Sequence, residues 1–116
     1  MRVIARSTLS MFVDTLSGHK DKTSVKAAFD AWYFEVESAV WRNSQDVKKA
    51  FASASILDSE RIVFNIKGNN YRLIVAIDYQ RQIVFVKWLG SHREYDRIDA
   101  RTVQYGDQTY QKRKRS

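Results

Sequence analysis

The side chains that could do chemistry here are mostly cationic, and two stand where a strand built only for burial would not place them. In Asn65-Ile66-Lys67-Gly68-Asn69-Asn70-Tyr71-Arg72-Leu73, Lys67 and Arg72 interrupt an apolar alternation around a turn of Gly and Asn. Both turn residues tolerate the left-handed backbone of a tight reversal, so the stretch predicts a β-hairpin. A guanidinium on such a rigid platform suits a phosphate, because its planar fork matches two phosphoryl oxygens and its charge does not titrate. Lys67 can hold a phosphate or serve as a plain turn lysine. Lys87 can add positive potential or reach solvent over Phe85. Further on, Gly90-Ser91-His92-Arg93-Glu94-Tyr95-Asp96 carries Ser91 and Glu94 at capping-box spacing, which predicts a short helix from His92. Imidazoles titrate in the range useful for proton transfer near neutral pH. His92 and Tyr95, three apart, share one face of that turn.

These groups need elements to hold them. Residues 2–5 read as an opening strand, and Ser7 is the expected cap of a helix to about residue 17, with Leu9, Phe12, Val13 and Leu16 on one face. A second helix is expected over 23–40, striped by Val25, Phe29, Trp32, Val36 and Ala39. Such aromatics could stack on bases, but helical spacing marks them as core. Asn43 or Ser44 caps a third short helix over 46–51. From Ile56 onward the period is two, giving strands at 61–66, 71–78 and 83–89, linked by 67–70 and 79–82. Helices first and antiparallel strands later indicate an α+β domain, its N-terminal helices packed on one face of a mainly antiparallel β-sheet.

Register follows from the turns. Pairing Ile66 with Tyr71 sets Asn65 opposite Arg72, and pairing Asp78 with Ile83 sets Leu73 opposite Trp88. The helix-facing side then collects Ile62, Phe64, Ile66, Leu73, Val75, Ile77, Val84, Val86 and Trp88. The other side gathers Asn65, Arg72 and Lys87 among Val63, Ile74 and Phe85, a mixed surface suited to work. A one-residue slip would invert the partition.

At 116 residues, with 44% hydrophobic and 13% aromatic content, the chain is expected to be one globular domain. It has no cysteine, which removes disulfides and thiolate chemistry, and two histidines make a zinc site improbable. Zinc ligand spacings, Gly-rich nucleotide loops and nucleophile elbows are missing, so no metal and no cofactor is expected. Its longest apolar run, 73–77, is too short for a bilayer, and no cleavable signal is evident. A cytoplasmic protein without membrane contact is the simplest expectation. Lys112, Arg113, Lys114 and Arg115 supply four of the +7 net charge, so the body is only mildly basic. Residues 102–116 are expected to be a flexible basic tail, either solvated or a non-specific polyanion contact, behind a domain covering 1–101.

Arg2-Val3-Ile4-Ala5-Arg6-Ser7-Thr8-Leu9, then Val63-Phe64-Asn65-Ile66-Lys67-Gly68-Asn69 with Tyr71-Arg72-Leu73, then Gly90-Ser91-His92 with Glu94-Tyr95-Asp96, resemble the HigB toxins of bacterial type II toxin–antitoxin systems. The similarity covers about residues 2–99. It implies a RelE-like fold and an mRNA interferase, an endoribonuclease that cuts translated messages, often on the ribosome. It also implies inhibition by a HigA antitoxin, a helix-turn-helix protein, with DNA touched only indirectly through that partner. Metal-free RNA cleavage needs a base for the 2′-hydroxyl, charge stabilisation at phosphorus and an acid for the departing 5′-oxygen. Arg72, His92, Lys67 and Tyr95 are the expected catalytic set; Asn65, Asn69, Lys87 and Arg93 are the expected RNA contacts. Asp96 is expected to orient a neighbour. Two other classes stay open: a non-catalytic toxin of the same superfamily that binds a protein target, and a basic nucleic-acid-binding module.

Overall fold

The computed structural model describes residues 1–16, 18–68 and 70–103. Strand β1 (Arg2–Ile4) turns into helix α1 (Arg6–Asp14) through Ala5, whose φ of 76° is left-handed. Ala5 is therefore the residue before the helix, and its carbonyl accepts from Thr8 N at 3.0 Å. The helix starts one residue ahead of the expected Ser7 cap, with the backbone turn at Ala5 in place of a side-chain cap. Helix α2 (Lys22–Ser38) buries Val25, Phe29, Trp32 and Val36, the stripe its spacing predicts. Asn43 caps α3 (Ser44–Ala50), its side chain accepting from Asp46 N at 3.1 Å.

The strands β2 (Ser55–Ile56), β3 (Arg61–Ile66), β4 (Tyr71–Asp78) and β5 (Ile83–Ser91) join β1 in one five-stranded sheet of order β1-β5-β4-β3-β2. Neighbours are antiparallel except β1, which lies parallel to β5. The architecture is thus α+β, with a mixed, mostly antiparallel sheet. Two edge strands, β1 and β2, extend the expected three-stranded platform. In the β3–β4 hairpin the expected register holds, Asn65 opposite Arg72 and Ile66 opposite Tyr71.

Register along β5 departs from expectation. Asp78 pairs with Ile83 as expected, but a bulge between Ile74 and Val75 on one side and Val86 and Trp88 on the other sets Ile74 against Trp88 and Leu73 against Leu89. Lys87 is the extra residue. Past it, Trp88 leaves the helix-facing side and joins the opposite one, so its expected place in the helical core is corrected.

Two cores result. On the helical side, Phe64 lies edge-on to Trp32 and Phe51, centroids 5.4 and 5.0 Å away, within a cluster that includes Leu9, Val25, Leu73 and Val84. Among the described residues the other side buries only Val63, Ile74 and Trp88 outright. Over these three lie Tyr95, from the short helix α4 (His92–Tyr95), and Ile98, Ala100 and Val103 from the segment after it. Arg61 fastens that segment, its Nη1 donating to the carbonyls of Ala100 at 3.0 Å and Val103 at 2.8 Å. Packing thus continues to Val103; the basic run 112–115 lies outside the described residues.

Candidate functional site

Arg72 sits mid-sheet on the side away from α1 and α2, opposite Asn65 on β3 and Gly90 on β5. Its Cζ lies 5.7 Å from the centroid of the Tyr95 ring. Tyr95 in turn packs on buried Trp88, centroids 6.3 Å apart. Indole, phenol and guanidinium therefore form a short stack. A cation over an aromatic face is held by the ring quadrupole, so Tyr95 orients Arg72, a half-buried residue. Gly90 makes the stack possible. A Cβ there would lie 2.6 Å from the Trp88 ring and 3.0 Å from Glu94 Oε1.

Helix α4 is short and depends on its cap. Ser91 Oγ accepts from Glu94 N at 3.2 Å, and Glu94 Oε1 accepts from Ser91 N at 2.9 Å, the expected capping box. His92 N donates to the carbonyl of Asn70 at 3.0 Å, which docks the helix start against the β3–β4 turn. The His92 ring is exposed, with Nε2 3.9 Å from Asp96 Oδ2, so Asp96 stands where it can orient a protonated imidazole. Arg93 is exposed on the same helix. Arg72, Tyr95 and His92 are thus gathered at one end of the sheet.

Lys67 points elsewhere. Its Nζ lies 2.8 Å from Asp21 Oδ1, at the start of α2 on the helical side. This hydrogen bond holds the Asp21 carboxyl below the usual carboxylate range. Nearby, burial pushes the Tyr71 phenol up, and the Asp21 charge adds to it. Asn65 faces the Arg72 side, but its Nδ2 donates to Ser53 O at 3.3 Å. Lys87 stands at the bulge with Nζ 5.6 Å from the Phe85 centroid. It is three residues along β5 from Gly90, roughly 10 Å at strand rise, with Trp88 between. Asn69 lies outside the described residues.

Three contributors escaped the sequence reading: Asp21, Gly90 and Trp88 as the floor under Tyr95. The signal for the last two was the Trp88-Leu89-Gly90 order itself, a large ring two residues before a residue without Cβ, on one strand face. For Asp21 there was none beyond an acid preceding a helix.

Among the described residues no helix is long and apolar enough to cross a membrane. No curated protein matches the chain. Residues 25–98 match the model of the HigB toxin family, described as the RelE-like toxic component of a toxin–antitoxin system. That span runs from the first buried turn of α2 through α4 and takes in Arg72, His92 and Tyr95. It covers well over half of the 116 residues, and the sheet with its helical layer is consistent with a RelE-like fold, so the chain belongs to the HigB toxin family and is the toxic member of a toxin–antitoxin pair.

Proposed function

We propose that this toxin is a metal-independent endoribonuclease that cuts messenger RNA on the translating ribosome, in the cytoplasm, and is restrained by a HigA-type helix-turn-helix antitoxin. The observation that carries this reading is the Arg72 guanidinium held on the Tyr95 ring beside the start of α4. Arg72 neutralises charge building on the phosphorane, the role for which a fixed guanidinium is suited. Attack of the 2′-oxygen forms the new P–O bond while the bond to the 5′-oxygen breaks. The 2′-hydroxyl gives its proton to solvent water as its oxygen attacks, and His92 delivers a proton to the departing 5′-oxygen, giving a 2′,3′-cyclic phosphate and a free 5′-hydroxyl. Asp96 supports the imidazolium before transfer. Tyr95 holds Arg72 and offers its ring edge to a base. Arg93 and Lys87 add phosphate attraction along the same face, Lys87 at a distance from the centre.

Expression of the toxin without its antitoxin, followed by mapping of message 5′ ends, tests this. New 5′-hydroxyl ends inside reading frames are expected. Growth arrest with intact messages would instead indicate a protein target and overturn the nuclease reading.

A further inference from the structure

The contact between Asp21 and Lys67 joins parts of the fold that the nuclease chemistry does not by itself require to touch. Asp21 immediately precedes α2 and lies outside the span matched by the family model, whereas Lys67 opens the hairpin turn inside it. Their charged atoms are 2.8 Å apart, and the side chains are only 21% and 28% exposed, so the pair is partly shielded from solvent. Asp21 is fixed from its own side. Its amide donates to His19 Nδ1 at 3.0 Å, and its carbonyl accepts from Val25 N at 2.9 Å.

From Lys67 the link continues through backbone. Lys67 takes a φ of 53°, a left-handed conformation that a non-glycine residue holds only when its surroundings enforce it. Its carbonyl accepts from Asn70 N at 3.2 Å, and the Asn70 carbonyl accepts from His92 N at 3.0 Å. A run of polar contacts therefore passes from the start of α2, through the turn, to the residue assigned the proton transfer. We propose that Asp21 is a positioning residue of the RNA-cleaving site, acting through Lys67 and the hairpin turn on His92. It rests on the nuclease reading for its function, but the link itself is a property of the fold. Lys67 is then an anchor of the turn and its ammonium is held away from the substrate. Releasing it should loosen His92 while freeing one positive charge for RNA.

The test is single-turnover cleavage of a ribosome-bound reporter message by excess toxin, read as maximal rate and half-saturating concentration. For Asp21→Asn the maximal rate is expected to fall about tenfold, since small misplacements of a proton donor are costly. The half-saturating concentration should stay level or drop, and Tm should stay within about 3 °C of wild type. Asp21→Glu should recover most of the rate. Lys67→Met should lose a similar factor, and the double variant no more than either single, as one linked pair requires. Wild-type rate in Asp21→Asn, additive losses in the double variant, or a rate that merely follows Tm would overturn the proposal. Should Asp21→Asn fail to fold, Lys67→Met reads the same link from its other end, and wild-type rate there has the same consequence. Amide hydrogen exchange at His92 separates this from the nuclease reading, because it needs no cleavage. Faster exchange in Asp21→Asn is expected even in a protein that cuts nothing, and unchanged exchange overturns the link.

Discussion

The two sides of the sheet are built to different standards. The helical side is a continuous aromatic and aliphatic core in which Phe64 touches rings from α2 and from the end of α3. Among the described residues the other side has three buried residues, a four-residue helix and a strap of chain tied by Arg61. Stability resides mainly on the first side, and the candidate site residues Arg72, His92 and Arg93 on the second. A working surface must leave polar groups reachable by substrate, which limits how much apolar area can be buried beneath it. The thin second core meets this limit by placing its largest side chain, Trp88, under the Tyr95 ring that holds Arg72.

If that division is right, substitutions on the two sides should fail in different ways. Phe64→Ala should cost about 3–5 kcal/mol of stability, enough to unfold much of the population, measured by urea denaturation. A loss under about 1 kcal/mol would show that the helical core is not the main store of stability. Arg72→Ala should lower cleavage about 100-fold while changing stability by no more than about 1 kcal/mol, with antitoxin binding retained. Full cleavage by a well-folded Arg72→Ala protein would remove the guanidinium from the site. Gly90→Ala should fall between the two types, costing about 1–3 kcal/mol because its Cβ meets the Trp88 ring, and it should lower cleavage through displaced Tyr95. An unaltered Gly90→Ala protein would mean that the indole can move aside freely. The smallest effect concerns acid. Asp21 has its carboxyl depressed in the folded state, so its contribution is full above the ordinary carboxylate value, near 4, and is lost as pH falls through the depressed one. The small Tm gap between wild type and Asp21→Asn should therefore be constant from about pH 7 to 5 and close below about pH 4. A gap that opens in acid would reverse the sign.

How far all this was legible depended on whether local rules decided the outcome. The stripe Val25, Phe29, Trp32 and Val36 lies on one helical face and is buried, because period and burial are the same fact in an amphipathic helix. The pairing of Asn65 with Arg72 and the Ser91–Glu94 cap were readable for the same reason, being fixed within a few residues. The bulge at Lys87 was not, since it is decided by where Trp88 can be buried beneath α4. Nor was the parallel pairing of β1 with β5, which joins Arg2 to Ile83 across most of the chain. Among the candidate site residues, Arg72 and Tyr95 are in contact, while Lys67 is turned to Asp21, a partner 46 positions away that no spacing rule could name.

The extra residue in β5 has a consequence for how this chain can tolerate change. Ahead of Lys87 the even-numbered side chains, Val84 and Val86, face the helices; beyond it Leu89 does, and Trp88 faces away. One strand thus contains two halves of opposite parity. Regular alternation of the same residues without the bulge would put tryptophan among the helices and leucine under Tyr95. Deleting Lys87, by contrast, would close the bulge and leave both side chains on their present sides. Lys87 is thus the one place along β5 where the pairing can absorb a lost residue without turning the strand over.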